Sequence, residues 1–68
     1  GIDGLDDIRS IVSQSKHFLT DNGWLLIEHG YKQSRQVTDI LRAHHFNQVR
    51  SEYDLNGLPR VTMGCNEL

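Results

Sequence analysis

Trp24, Leu25, Leu26 and Ile27 form an unbroken apolar run between Asn22-Gly23 and Glu28-His29-Gly30. No other stretch constrains the fold as tightly. Four apolar residues without alternation predict a strand covered on both faces, as parallel strands flanked by helices are. Upstream, Leu5, Ile8, Ile11, Val12, Ser15, Phe18 and Leu19 fall on a 3.6-residue stripe, which predicts an amphipathic helix. Asp3 is its expected N-cap, and Asp6 and Asp7 sit where the positive end of the helix dipole favours carboxylates. Lys16 and His17 fall in its expected last turn, and Asn22-Gly23 is expected to stop it.

Downstream, Glu28-His29-Gly30 ends the strand, and Val37, Ile40, Leu41 and His44 recur at i, i+3, i+4 and i+7. This spacing predicts a second helix from about Lys32 to His44. From Phe46 to Tyr53 the chain reads as extended, with Val49, Ser51 and Tyr53 alternating against Arg50 and Glu52. Asp54 to Pro59 is turn chemistry, because Gly57 tolerates positive φ while Pro59 fixes its own φ and lacks a donor. A last strand follows, with Val61, Met63 and Cys65 on one face, and the two strands are expected to form a hairpin.

The order helix-strand-helix-strand-strand predicts an α/β fold. A right-handed crossover makes the first two strands parallel, and the hairpin turns the last strand antiparallel to its neighbours. If that last strand inserts between the other two, the outer side of Trp24–Ile27 remains an open edge. A chain of 68 residues buries only about 60% of its unfolded surface, and domains this small normally need a disulfide, a metal or a partner to be secure. The single cysteine excludes an internal disulfide. Association through the open edge is therefore expected.

Seven Lys and Arg against nine Asp and Glu give a net charge of −2, which argues against a dedicated nucleic-acid binder with a basic stripe. The longest apolar run falls far short of the roughly 20 residues a membrane span needs. The residues from Gly1 to Asp7 hold no basic region followed by an apolar core, so no signal peptide is read and a cytoplasmic setting is expected. The chain begins at Gly1, and its only methionine is Met63. Either an initiator was removed or the sequence is a piece of something longer.

Glu28 and His29 stand at the carboxyl end of the first strand, the edge where open α/β sheets bind ligands. They are the candidate substrate-facing pair, in a supporting rather than a chemical role. The bland alternative is a loop carboxylate and imidazole that orient the turn into the second helix, and it carries more weight. His17, His29, His44, His45 and Cys65 show no Cys-x-x-Cys or His-x-x-x-His spacing, so no metal site is read. His44 reads as half-buried on the apolar helix face, and Cys65 as a small strand residue without a base to activate it. Arg60 is expected to pair with Asp54 across the hairpin mouth in preference to contacting substrate.

Taken as a set, Gly4-Leu5 with Ile8, Asn22-Gly23-Trp24-Leu25-Leu26-Ile27-Glu28-His29-Gly30, Phe46 with Val49, Asp54-Leu55, Gly57 and Arg60-Val61-Thr62-Met63-Gly64 resemble one family. The chain looks like the C-terminal third of a class I S-adenosylmethionine-dependent methyltransferase. More narrowly, it resembles the end of the HemK-type glutamine N5-methyltransferases that modify peptide chain release factors. The resemblance implies that residues 1–68 are an incomplete, C-terminal portion of a Rossmann-like catalytic domain. Trp24–Ile27, Phe46–Tyr53 and Arg60–Cys65 would be the fifth, sixth and seventh strands, the seventh antiparallel and inserted between the other two.

The family's glycine-rich cofactor loop and Asn-Pro-Pro-Tyr clamp are absent from these 68 residues. The resemblance therefore assigns no catalytic or cofactor-binding residue here, and the fragment alone is expected to be inactive and not to bind S-adenosylmethionine. Release factors would be the partner of the parent protein. His45 stands where the family commonly has Gly, which calls for a left-handed conformation at some cost. Two other readings remain open: a class I methyltransferase acting on nucleic acid or a small molecule, and a free-standing α+β module that pairs through its strand edge.

Overall fold

The computed structural model describes residues 4–67, and the expected Asp3 cap lies outside them. The elements are α1 (Asp6–Ser15), β1 (Gly23–Glu28), a single 3-10 turn (Tyr31–Gln33), α2 (Ser34–Ala43), β2 (Asn47–Tyr53) and β3 (Pro59–Asn66). The sheet order is β1-β3-β2. Because β3 is antiparallel to both neighbours, β1 and β2 run parallel to each other, and their carboxyl ends lie at the same edge as the start of β3.

α1 is shorter than its apolar stripe. It ends at Ser15, whose hydroxyl donates to the Val12 carbonyl at 2.7 Å, and the next three residues form a turn. Phe18 is left 83% exposed, while Leu19 packs on the core from outside the helix. Tertiary bonds override the periodicity here. Lys16 Nζ donates to Asn66 Oδ1 at 2.8 Å and to the His45 carbonyl at 3.3 Å, and it sits 4.1 Å from the centre of the Phe46 ring. The Asn66 amide in turn donates to the carbonyls of Leu19 and Thr20 at 3.3 and 3.1 Å. The end of α1 is thus tied to the end of β3, and helical bonding stops where those ties begin.

α2 begins at Ser34, two residues later than expected, after the 3-10 turn. At its other end His45 takes φ of 67°. Its amide donates to the Arg42 carbonyl at 3.0 Å and that of Phe46 to the Leu41 carbonyl at 3.1 Å, the bond pair of a Schellman cap. A histidine thus fills the left-handed position where glycine is usual. The cap drops Phe46 into the core, where Leu5, Val12, Ile27, Val37, Ile40 and Leu41 meet it.

Opposed residues of antiparallel strands share a face. The register pairs Leu25 with Gly64 and Ile27 with Thr62, and it pairs Trp24 with Cys65 and Leu26 with Met63. The first set lies under the helices. The second set faces away, with Trp24 39% and Leu26 58% exposed. The expectation of a strand covered on both faces is corrected for the described residues: both helices lie on one side, so among them only one face of β1 is covered by helices. β2 carries a bulge at Gln48, where φ is 54° and the register with β3 shifts. A second shift precedes Tyr53, which is exposed rather than continuing the inward alternation of Val49 and Ser51.

Candidate functional site

The edge formed by the carboxyl ends of β1 and β2 and the start of β3 gathers Glu28, His29, Tyr31, Ser51, Asp54, Arg60 and Thr62. The chain reverses direction after Glu28 because its backbone bonds are supplied locally. His29 N donates to the Arg60 carbonyl at 3.0 Å, Gln33 N to the Gly30 carbonyl at 2.9 Å, and Gly30 N to Gln33 Oε1 at 3.0 Å. These bonds fasten the turn onto β3 on one side and onto the 3-10 turn on the other.

Glu28 is exposed at the end of β1. The two candidate residues are therefore adjacent in chain and space but differ in setting, for His29 is tied on both ring nitrogens. Nδ1 lies 2.8 Å from the Gly30 carbonyl oxygen and Nε2 lies 2.7 Å from Thr62 Oγ1. The chain of contacts continues inward: Thr62 Oγ1 lies 2.8 Å from Ser51 Oγ, which lies 2.8 Å from Ser34 Oγ. Three hydroxyls and an imidazole thus link β1, β3, β2 and the first residue of α2. Thr62 is fully buried, and a buried hydroxyl without partners would be costly. Here it has two.

Sequence reasoning did not find Thr62, Ser51 or Ser34. Thr62 falls between Val61 and Met63, at a position the apolar alternation reads as outward, and Ser51 is a small residue on the face expected to be apolar. The one available signal was that both strands carry a hydroxyl residue where the helices cover the sheet, and that signal needs the register to be seen.

The ion pair expected at the hairpin mouth is present, with Arg60 Nε donating to Asp54 Oδ2 at 3.0 Å. Asp54 Oδ1 accepts the amides of Asn56 at 2.8 Å and Leu58 at 3.0 Å. The Leu58 amide first, and then the Arg60 guanidinium, hold the Asp54 carboxyl below its ordinary value. Tyr31 lies under the Arg60 guanidinium at 5.5 Å and the Lys32 ammonium at 5.7 Å, making a cationic and aromatic rim beside His29. Cys65 is buried at the far end of the sheet, and burial, then the nearby carboxylates of Glu67 and Asp21, push its thiol pKa up. It is inert by placement. Among the described residues no His, Cys, Asp and Glu group is set to hold a metal, and no helix is long and apolar enough to cross a membrane.

No family model matches the sequence. Individual proteins do. The chain is 52% identical over 64 residues, 94% of its length, to a release factor glutamine methyltransferase of Pseudomonas aeruginosa, and 49% identical over 90% of its length to one of Vibrio cholerae. A release factor glutamine methyltransferase of Buchnera aphidicola is 43% identical over 90% of the chain. The chain spans only 23%, 21% and 22% of those three proteins. It is thus a relative, over nine-tenths of its own length, of the release factor glutamine methyltransferases, and corresponds to between a fifth and a quarter of such a protein.

Proposed function

We propose that residues 1–68 are the C-terminal part of the catalytic domain of a class I, Rossmann-like methyltransferase. The intact protein would transfer a methyl group from S-adenosylmethionine to the side-chain amide nitrogen of a glutamine in a peptide chain release factor. The observation that carries this reading is the 52% identity over 94% of the chain to a protein of that name. The sheet supports it, because an antiparallel strand lies between two parallel ones.

The described residues carry no glycine-rich loop after a strand. No step of methyl transfer is assigned to them. What the chain supplies is a scaffold and a wall. An amide nitrogen is a poor nucleophile, and transfer to it depends on holding it in line with the donor. The edge bearing Glu28 and the His29 turn would form part of the surface against which the glutamine-bearing segment is held. The outer edge of β1 would pair with the domain's next strand and, in the isolated chain, is open to self-association. The reaction would run in the cytoplasm, without direct contact to nucleic acid.

The test is methyl transfer. The longer protein containing this segment, given labelled S-adenosylmethionine and a release factor, is expected to place the label on a glutamine side chain located by mass spectrometry. The 68-residue chain alone is expected to show neither transfer nor micromolar binding of S-adenosylmethionine. Labelling of any other acceptor, or tight cofactor binding by the isolated chain, would refute the proposal.

A further inference from the structure

We infer that His29 is a positioning residue, fixed as its Nδ1–H tautomer by the Gly30 carbonyl and anchored at Nε2 by the buried Thr62 hydroxyl, so that it holds the Glu28–Gly30 turn against the sheet edge. The argument starts from the oxygen at Nδ1. The Gly30 carbonyl, 2.8 Å away, only accepts, so Nδ1 carries the proton. In the neutral ring Nε2 is then a bare lone pair, and the atom 2.7 Å from it, Thr62 Oγ1, donates. Thr62 Oγ1 has spent its proton, so Ser51 Oγ at 2.8 Å donates to it, and Ser34 Oγ at 2.8 Å donates to Ser51 Oγ. One direction of donation runs from α2 through β2 and β3 to the imidazole and ends on the backbone of the turn.

Both ring nitrogens are consumed, and a group with neither nitrogen available is not placed to move a substrate proton. Its effect must pass through what it holds. That is Gly30, whose carbonyl it clamps beside the exposed carboxylate of Glu28. The role in catalysis rests on the proposed function, while the tautomer does not.

The experiment has two arms. In the 68-residue chain with 15N-labelled histidine, long-range proton–nitrogen spectra are expected to show His29 protonated at Nδ1 and bare at Nε2. Thr62→Val removes the donor to Nε2, so the proton is expected to stay on Nδ1 while the Nε2 resonance moves to that of a nitrogen accepting no hydrogen bond. Thr62→Ser is expected to leave that resonance in place. An Nε2–H ring in the unsubstituted chain overturns the assignment with no variant needed, and so does an Nε2 resonance unmoved by Thr62→Val in a chain whose amide spectrum remains native. In the longer protein, Thr62→Val and His29→Gln are expected to raise KM for the protein substrate about five- to tenfold, the equivalent of one hydrogen bond, with kcat unchanged and with rescue by Thr62→Ser. Equal losses in kcat and kcat/KM would overturn the positioning role, since they mark a contact made only in the transition state. Absence of transfer by the unsubstituted longer protein would sink the proposed function and leave the spectral result standing.

Discussion

Replacing Gly64 by alanine tests how closely the end of α2 is pressed onto the sheet. A Cβ built at Gly64 would lie 2.9 Å from Phe46 Cβ, 3.3 Å from Val49 Cγ2 and 3.4 Å from Phe46 Cδ1. Carbon atoms sit comfortably at about 3.5–4.0 Å, so the first contact is short by about 0.6 Å or more. A rotamer change does not relieve it, because a Cβ moves only with its backbone. The Phe46 backbone is held by the bond from its amide to the Leu41 carbonyl, directly after the left-handed His45. The strand or the cap must therefore shift, which typically costs about 1–3 kcal/mol. Loss of glycine freedom in the unfolded chain returns about 0.4–1 kcal/mol, leaving a net destabilisation of about 1.3 kcal/mol at the middle of the two ranges. With a urea slope near 1 kcal/mol/M for so small a protein, the unfolding midpoint should fall by about 1.3 M. Adding Val49→Ala should recover only part of that fall, because the Phe46 contact remains. A midpoint unchanged or raised by Gly64→Ala would refute the reasoning.

Other perturbations read other parts of the molecule. Asp54 has a folded-state pKa below its ordinary value of 3.8, so its contribution to stability is complete above that value and fades as pH falls through the folded one. Acid titration of the unfolding midpoint should show this loss, and Asp54→Asn should flatten it. Cys65, buried and with a raised pKa, should react with a thiol reagent at pH 8 only as fast as the sheet opens, and rapidly in urea. Leu26→Ala should change the stability of the isolated chain by less than about 1 kcal/mol, because the side chain is largely exposed, yet should cost about 2–5 kcal/mol in a protein that covers that face. Equal effects in both would contradict the proposed setting.

The sequence made β1 legible because four apolar residues between two turn signals leave few alternatives, and α2 because its apolar spacing agrees with its burial: Val37, Ile40 and Leu41 are all in the core. The end of α1 was illegible for a physical reason. Phe18 and Leu19 continue the helical period, and only the distant partners of Lys16 and Leu19 on β3 end the helix early. The bulge at Gln48 was hidden in the same way, since a residue in the left-handed region carries no mark in a strand that still alternates on either side. At the candidate site, position alone pointed to Glu28 and His29, and the Asp54–Arg60 pair was legible from turn geometry. The hydroxyl chain was not, because Ser34, Ser51 and Thr62 lie 17 and 11 residues apart and meet only once β3 has entered the sheet between its neighbours.

The outward face of the sheet bears on which reading of the chain is right. An antiparallel sheet with one wet face normally alternates apolar and polar residues, and β1 does not: Trp24 and Leu26 face out as apolar groups while Leu25 and Ile27 face in. Their partners on β3 repeat the pattern, since Met63 opposes Leu26 and Cys65 opposes Trp24. On β2, the Arg50 guanidinium stacks on the Trp24 ring at 5.7 Å. A self-sufficient module this small would be expected to spend its polar residues on that face, because a contiguous apolar surface invites association. A strand buried on both sides, in the manner of a parallel sheet flanked by helices, has no such need. The composition of β1 is therefore that of an interior strand, whereas the two helices described here occupy one side of it. That mismatch supports the reading as part of a larger domain over the reading as a self-sufficient module, and it does so without reference to any relative.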